Sequence, residues 1–223
     1  MKQRAKIVCF EGTEGVGKTT QAKNLANYLR EKGYSVLETK EPGTPHSPIT
    51  LDLRKFMLDQ QYDDQLTPTA REYISQAIRS IHLEKVIVPA LYQYDYIIQD
   101  RGILSGLAYG NACGHNLEFL KKLTKKNIPS SYFRKLNNIY DKIIILTGDT
   151  TEGLERAAQA KQEFKAGDAM ESKGNNFMLK VASNMECFSK DFRSSKISID
   201  NKNKEQVFNA IVALLIKEGI LHG

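Results

Sequence analysis

The chain has 223 residues, a formal net charge of +6 and 41% hydrophobic residues. This length fits one large domain or two small ones and buries enough surface to fold without disulfides. The sequence lacks eighteen consecutive apolar residues, the N-terminus is too polar for a signal peptide, and the three cysteines form no CxxC pair. A transmembrane helix, a secreted protein and a zinc site are therefore not expected, and a reducing, cytoplasmic setting is. The basic charge suits an anionic partner, or it reflects a solvated basic surface.

Short apolar runs alternate with helical stretches along the chain. We predict strands at residues 6–11, 34–39, 94–99, 142–147 and 196–200, and helices at 19–32, 51–58, 67–92 and 204–217. Pro68 stands near the start of its helix, where proline is tolerated, and Pro89 is expected to kink or end it. Apolar strands separated by helices are typical of βαβ units, which form a parallel sheet covered on both faces. The sequence therefore predicts one three-layer α/β domain over residues 1–223.

A glycine-rich stretch follows the first predicted strand. Residues 12–19, GTEGVGKT, match the phosphate-loop pattern GxxxxGK[ST] between a strand and a helix. Backbone N–H groups of such a loop point at phosphate oxygens, and the helix adds its positive N-terminus. Lys18 would reach the β- and γ-phosphates, and Thr19 would bind Mg²⁺. The predicted nucleoside triphosphate site comprises Gly12, Glu14, Gly15, Val16, Gly17, Lys18, Thr19 and Thr20.

The phosphate loop indicates the ligand class but not the reaction. GTPases also need NKxD, and residues 201–204, NKNK, lack its aspartate. A second pair, Asp100 and Arg101, directly follows the third predicted strand, where open α/β sheets bind ligands. A carboxylate there can hold Mg²⁺ through water, and an arginine can bind a second phosphate through two hydrogen bonds.

Six blocks stand in order along nearly the whole chain. They are FEGTEGVGKTTQ at 10–21, TKEPG at 39–43, Arg79 and His82 before VIVPAL at 86–91, DRGILSGLAY at 100–109, GLERA at 153–157 and ID at 199–200. Together they resemble the thymidylate kinase family of P-loop nucleoside monophosphate kinases. The resemblance implies a P-loop NTPase fold with a five-stranded parallel sheet, and a homodimer. It also implies transfer of the γ-phosphoryl group of ATP, with Mg²⁺, to a deoxypyrimidine monophosphate such as dTMP.

The resemblance also implies roles for single residues. Lys18 and Arg101 would neutralise phosphate charge, and Asp100 would join Thr19 in holding Mg²⁺. Glu14 takes the place of an acidic residue that contacts the sugar 3′-hydroxyl. No acid–base pair is needed, because the acceptor phosphate is already an anion and catalysis rests on positioning and charge neutralisation.

The acceptor site implied by the resemblance lies on the helices. Tyr109 would lie under the sugar, Arg79 would reach the base edge, and His82 is expected to be structural. Ser75, Arg79 and His82 are spaced to share one helix face. The predicted substrate-binding residues are Glu14, Arg54, Ser75, Arg79, Arg101, Ser105, Gly106 and Tyr109.

Three positions near the acceptor depart from the family pattern. Ser75 replaces a phenylalanine that stacks on the base, a contact worth ~1–3 kcal/mol. Its loss loosens the base site, or another aromatic residue replaces it, for which the candidates are Tyr73, Tyr132 and Phe133. Gly102 and Gly110 replace a tyrosine and a glutamine, which predicts empty space near the acceptor. We therefore extend the predicted substrates to dUMP or a 5-modified dUMP.

A lid is predicted at about residues 158–172. Ala169 stands where the family has an arginine, while Asp168 and Glu171 are kept. The transition-state charge would then come from Arg156, Lys161 or Lys165, of which we assign Arg156 and Lys165 to catalysis. For either lysine, a solvated helix face is an equal alternative.

Two alternatives stay open at this point. One is a broad deoxynucleoside monophosphate kinase. The other is a non-catalytic regulatory or nucleic-acid-associated protein, which the altered lid and the charge of +6 favour. Keeping both Lys18 and Arg101 argues against it, because a scaffold has no need of two phosphate-binding cations. We therefore predict small nucleotide substrates, with no membrane or nucleic-acid partner.

Overall fold

The structure is a computed structural model and describes residues 3–133, 135–149, 152–153 and 168–221. The predicted catalytic residues Arg156 and Lys165, together with Lys161, lie outside the described residues, as does most of the predicted lid.

Five parallel strands form one sheet. They are β1 (Lys6–Glu11), β2 (Val36–Lys40), β3 (Tyr96–Asp100), β4 (Lys142–Thr147) and β5 (Ser194–Ser198). Their order in the sheet is β2-β3-β1-β4-β5. The central strand β1 pairs with β3 on one side and β4 on the other, in parallel in both cases. The connection that leaves β1 runs to β2, and the one that leaves β3 runs to β4 on the opposite side of the sheet. Such a reversal opens a crevice at the carboxyl ends of the two strands.

Helices cover both faces of this sheet. They are α1 (Lys18–Glu31), α2 (Pro48–Leu58), α3 (Pro68–His82), α4 (Ile103–Ala112), α5 (Leu117–Lys126), α6 (Gly174–Phe188) and α7 (Lys204–Lys217). Alternate residues of β1 point into two different cores, since Ile7 and Cys9 pack with α4 and α6 and Val8 and Phe10 pack with α1 and α7. A strand buried on both faces is apolar throughout, as the sequence KIVCFE is. The predicted three-layer α/β architecture is confirmed.

The long predicted helix at 67–92 changes type along its length. It begins after Thr67, whose hydroxyl accepts a hydrogen bond from the N–H of Ala70. The α-helical part ends at His82, and a π-helical turn (Leu83–Ile87) leads to a last turn that contains Pro89. Proline has no N–H to donate, and the wider turn that precedes it accommodates this loss. The helix ends at Ala90, one residue after Pro89, which agrees with the prediction that this proline kinks or ends the helix.

Two strands begin later than predicted, and β5 begins earlier. The carboxylate of Asp95 accepts hydrogen bonds from the N–H and hydroxyl of Ser35. The regular pairing of β2 with β3 therefore begins one residue later, at Val36 and Tyr96. The shift makes Asp100 the last residue of β3, paired in register with Lys40 and Phe10. Its carboxylate consequently lies at the edge of the sheet, beside the phosphate loop.

Candidate active site

A cleft of about 650 Å³ opens at the carboxyl ends of β1 and β3. Its walls continue between α3 and α4, which face each other, because Gly106 lies against Arg79 and Gly110 lies against Glu72. We call the part formed by Gly15, Gly17–Thr20, Asp100 and Arg101 the loop end. The part between the two helices, which we call the helical end, is lined by Arg71, Glu72, Ser75, Gly110, Cys113 and His115.

The phosphate loop begins where β1 ends. Gly15 and Gly17 have φ angles of 69° and 87°, which an L side chain rarely adopts, so these turns require glycine. Gly17 precedes α1 and gives it no side-chain cap. The first N–H groups of α1 therefore remain available to an anion. Predicted positions Gly12 and Val16 do not line the cleft, since Val16 is buried in the core and the Gly12 carbonyl accepts from Arg101.

Lys18 lies at the base of the loop end. Its Nζ donates to the carbonyl oxygen of Thr13, and its side chain is buried. Burial, together with the nearby charge of Arg101, lowers the pKa of Lys18 to about 8. An anion at the loop end would favour the charged amine, and the lysine is therefore suited to binding phosphate.

Thr19 and Asp100 stand together beside Lys18. The Thr19 hydroxyl donates to Oδ2 of Asp100 over 2.5 Å. Oδ1 of Asp100 is buried and has no hydrogen-bond partner in the described part of the chain. Mg²⁺ is bound through one or two protein oxygens plus waters and phosphates, so this pair fits that ion. Within the described residues no three His, Cys, Asp or Glu side chains form a metal cluster, and a Mg²⁺ ion on a nucleotide does not need one.

Arg101 connects the phosphate loop to α4. It has a φ angle of 62°, and its guanidinium donates to the carbonyl of Gly12 at 2.9 Å and to Oγ of Ser105 at 3.0 Å. It also forms an ion pair of 2.7 Å with Glu14. Tyr109 lies below, with its ring centre 5.5 Å from the guanidinium carbon. The predicted residues Glu14, Arg101, Ser105 and Tyr109 are thus brought together.

Glu11 holds the start of α4 in place, a role that the sequence analysis missed. Its carboxylate is fully buried and accepts from the N–H groups of Gly102 and Ser105, and from the Ser105 hydroxyl. Burial raises its pKa, and the hydrogen bond from Ser105 limits the rise. The only available signal was an acidic residue at the end of a buried strand.

Arg79 lines the cleft, and Glu41 holds one side of its guanidinium. Its Nε donates to Oε2 of Glu41 at 3.0 Å, and His82 Nδ1 lies 2.9 Å from the other oxygen of Glu41. His82 also contacts the Thr39 hydroxyl at 2.7 Å, so the prediction that it is structural is confirmed. Burial alone would raise the pKa of Glu41, but Arg79 and His82 outweigh it and lower that pKa. One donor of Arg79, Nη1, is buried and has no hydrogen-bond partner among the residues that the structure describes.

The empty space predicted near Gly102 and Gly110 is absent, so that expectation is wrong. A Cβ atom at position 102 would lie 2.2 Å from the hydroxyl of Tyr140, which fills the space. A Cβ atom at position 110 would lie 2.8 Å from Oε2 of Glu72 and 2.9 Å from Leu120. Each missing side chain is replaced by one from another element, which single-position comparison does not reveal.

The predicted aromatic replacements for Ser75 do not line the cleft. Tyr73 is 54% exposed and Tyr132 is 48% exposed, whereas Phe133 is buried in the core. Ser75 itself lines the helical end, as predicted. Apolar side chains reach this end from another direction, from Met57 and Leu58 at the end of α2 and from Met170.

Ala169 is fully buried, and its N–H donates to the carbonyl of Leu58 at 2.9 Å. A side chain at this position therefore points into the cluster with Met57 and Ile78 rather than into the cleft. Its neighbour Asp168 does line the cleft. In this backbone path, an arginine at 169 would have to displace that apolar cluster.

Two further groups of residues complete the walls. The predicted residues Arg54, Gly106 and Thr20 line the cleft, with Arg54 packed against Gly43. Arg71 was not predicted, although it is buried and donates to the carbonyl of Met57 and, at 2.8 Å, to Asp63. It thereby binds the end of α2 to α3 beside the helical end.

The comparisons with known proteins agree with this geometry. The family model described as thymidylate kinase matches residues 10–211. The chain belongs to the thymidylate kinase family. A relative from Caldicellulosiruptor saccharolyticus is 33% identical over 85% of both chains, and one from Finegoldia magna is 27% identical over 96% of this chain and all of that relative. Both are named thymidylate kinase.

Solved structures agree on the fold. A thymidylate kinase from Ehrlichia chaffeensis matches with a TM-score of 0.70 at 23% identity, covering 95% of this chain and 98% of that one. One from Candida albicans matches with a TM-score of 0.72 at 21% identity, covering 98% and 94%. The fold is thus the five-stranded P-loop NTPase fold, and this thymidylate kinase homologue is a nucleoside monophosphate kinase. In the part of the chain that the structure describes, no helix is both long and apolar enough to span a membrane.

Proposed function

We propose that this kinase transfers the γ-phosphoryl group of ATP to the 5′-phosphate of dTMP, giving dTDP and ADP. The observation that carries the proposal is the joint arrangement at the loop end. A phosphate loop, the Thr19–Asp100 oxygen pair and the Arg101 guanidinium all face one cleft. A non-catalytic protein would not need two phosphate-binding cations, Lys18 and Arg101, in one cleft. No observation favours a kinase that acts on a broad range of deoxynucleoside monophosphates.

The loop end supports ATP as the donor and Mg²⁺ as its ion. The uncapped start of α1 and the amine of Lys18 supply donors and positive charge for the β- and γ-phosphates. Thr19 and Asp100 would hold Mg²⁺, which neutralises charge on the transferring phosphoryl group. The protein itself contributes position and charge, and no side chain needs to accept a proton.

Arg101 is placed to bind the acceptor phosphate. In the described structure its guanidinium pairs with Glu14, so binding of the acceptor would exchange or share this partner. Tyr109 and Ser105 would then lie on the sugar side, with Gly106 allowing close approach. Arg54, Ser75 and Arg79 would complete the acceptor site from α2 and α3.

Several finer features stay predictions. Activity on dUMP or a 5-modified dUMP stays a prediction, and of the three positions that suggested it only Ser75 remains, because the space at Gly102 and Gly110 is filled. The lid at 158–172, catalysis by Arg156 and Lys165, a single domain over 1–223, a homodimer and a cytoplasmic setting also stay predictions. The three cysteines, Cys9, Cys113 and Cys187, are unpaired, which fits a reducing setting.

A coupled ADP-release assay with Mg·ATP and a panel of deoxy- and ribonucleoside monophosphates tests the proposal. We expect turnover with dTMP that is lost in Lys18→Ala and Arg101→Ala. Lys122→Ala, at an exposed position of α5 that does not line the cleft, is the control and should keep full activity. Absence of turnover on every monophosphate, with ATP still bound, would reject the proposal.

A further inference from the structure

The helical end holds a carboxyl group that phosphoryl transfer does not use. Glu72 lies on α3, lines the cleft and is only 6% exposed. Its Oε1 accepts a hydrogen bond from Nε2 of Gln76 at 2.8 Å. Its Oε2 faces α4, where only the absence of a side chain at Gly110 leaves it room. Among the residues that the structure describes, no donor is bonded to Oε2.

The position of Glu72 is fixed from behind by α5. Nε2 of Gln76 also donates to the Thr124 hydroxyl at 3.0 Å, and its oxygen accepts from Asn127 at 3.2 Å. The amide of Gln76 therefore cannot turn over, and its N–H group stays directed at Glu72. A carboxylate held in this way presents its second oxygen to the cleft as a fixed acceptor.

His115 offers the complementary group. It follows α4 and lines the same end of the cleft, where its N–H donates to the carbonyl of Gly110 at 3.2 Å. Its side-chain Nε2 is buried and has no hydrogen-bond partner in the described structure. Burial raises the pKa of Glu72, and Gln76, Arg79 and His115 offset part of this rise. Both side chains thus line the helical end of the cleft, Glu72 with an acceptor oxygen and His115 with a ring nitrogen that has no partner among the described residues.

A fixed acceptor and a donor at the same end of the cleft match one pyrimidine edge and oppose another. Thymine and uracil present N3–H, a donor, beside a carbonyl oxygen, an acceptor. Cytosine presents the reverse order, with a bare N3 beside its amino group. A cytosine bound in the same orientation would place the N3 lone pair against the carboxylate, which disfavours it.

We propose that Glu72 and His115 determine the base specificity of this kinase. Oε2 of Glu72 accepts a hydrogen bond from N3–H of the acceptor base, and Nε2 of His115 donates to the adjacent carbonyl oxygen. Bases with an N3–H edge, thymine and uracil, are then accepted alike, and cytosine is rejected. This inference rests on the proposed function and names what the helical end of the same cleft recognises.

The test is the ratio of kcat/KM for dTMP to that for dCMP, measured in the full chain with Mg·ATP. Glu72→Gln keeps the shape and offers cytosine N3 a donor, so the ratio should fall at least about tenfold, the difference between a charged and a neutral hydrogen bond. The ratio of dTMP to dUMP should stay within about twofold, because both bases share the edge. Glu118→Gln is the matched control, since that carboxylate is 71% exposed on α5 and should leave the ratios unchanged.

The outcomes separate this inference from the proposed function. If the wild-type protein phosphorylates no monophosphate, the proposed function fails first. If it phosphorylates dTMP and Glu72→Gln lowers all substrates equally, Glu72 is only structural and the inference is overturned. Should Glu72→Gln fail to fold, His115→Gln and the wild-type preferences decide, since a wild-type enzyme that prefers dCMP to dUMP also overturns it.

Discussion

The two ends of the cleft are built in different ways. At the loop end, the groups that matter are backbone N–H groups, carbonyls and a few side chains fixed by short motifs, such as Lys18 on the carbonyl of Thr13. At the helical end, side chains from α3 and α4 meet across the cleft, as Glu72 does at Gly110. Phosphate recognition therefore depends on a local backbone path, whereas base recognition depends on pairs of residues far apart in the chain.

If the two ends work independently, removing the charge of Lys18 should stop turnover but not acceptor binding. We expect Lys18→Met to lower kcat at least about a hundredfold, the cost of losing a main source of transition-state charge stabilisation. Binding of dTMP, followed by calorimetry, should change less than about threefold. Since the buried amine has a pKa lowered to about 8, wild-type affinity for ATP should also weaken as pH rises above 8, when the free enzyme loses this charge. A Lys18→Met variant that retains this pH dependence would contradict the assignment.

Glu41 joins the two ends, because it follows β2 and pairs with Arg79 of α3. Glu41→Gln should lower the free energy of unfolding by ~3 kcal/mol, since it leaves the buried guanidinium without its counter-charge. The pKa of Glu41 is lowered, so its contribution is present above the ordinary glutamate pKa of about 4.3 and is lost as pH falls through the lowered value. Urea unfolding should therefore show that the difference in the free energy of unfolding between the wild-type protein and Glu41→Gln becomes smaller at acidic pH than at neutral pH.

The matched control for that variant is Glu38→Gln. Glu38 forms an exposed ion pair with Arg30, and such pairs contribute about 0–1 kcal/mol. If Glu41→Gln still lowers the free energy of unfolding by the same amount at acidic pH, or if Glu38→Gln lowers it equally, Glu41 has no special role.

A smaller effect is expected from Arg101→Lys, which keeps the charge but loses the planar guanidinium. The Arg101 guanidinium donates hydrogen bonds to Gly12, Ser105 and Glu14. A lysine ammonium lacks the planar, fixed arrangement of donors that makes these three bonds together. We expect kcat/KM for dTMP to fall at least about tenfold, with KM for ATP within about twofold. Equal losses for both substrates would show that Arg101 holds the loop rather than the acceptor.

The smallest effect tests the helical end. Gly110→Ala places a methyl group 2.8 Å from Oε2 of Glu72 and 2.9 Å from Leu120. Crowding of this kind costs ~1–3 kcal/mol, and the gain in helix propensity of up to ~1 kcal/mol offsets part of it. The midpoint of thermal unfolding should fall by a few degrees, and KM should rise for the acceptor dTMP but not for ATP. Adding Glu72→Asp to Gly110→Ala shortens the crowded side chain and should restore part of the lost stability. If the effects of the two substitutions on stability are simply additive, the contact is contradicted.

Prediction from the sequence succeeded where local rules determine the structure. The apolar run KIVCFE and the glycine pattern after it define β1 and the phosphate loop, and the predicted bounds of β1, β4 and α7 agree with the structure. Thr19 and Asp100, both predicted to hold Mg²⁺, lie within hydrogen-bond distance because their motifs follow the carboxyl ends of the neighbouring strands β1 and β3.

Prediction failed where the partner of a residue is distant in the chain. Gly102 and Gly110 suggested vacant space, since the sequence does not show that Tyr140 and Glu72 fill it. Arg71 and His115 stand in no motif, and only the packing of α3 against α4 places them at the cleft. Ala169 suggested a missing charge, whereas its surroundings are apolar.

The strand order also has a consequence for how the chain acquires activity during refolding. The neighbours β1 and β3 are joined by most of the first half of the chain, and their register sets Asp100 beside the phosphate loop. Pairings between distant segments form slowly, because loop closure must precede the contacts that reward it. Recovery of enzymatic turnover after dilution from denaturant should accordingly lag behind recovery of the helical circular dichroism signal. The rate at which activity returns then measures how fast the central strands pair.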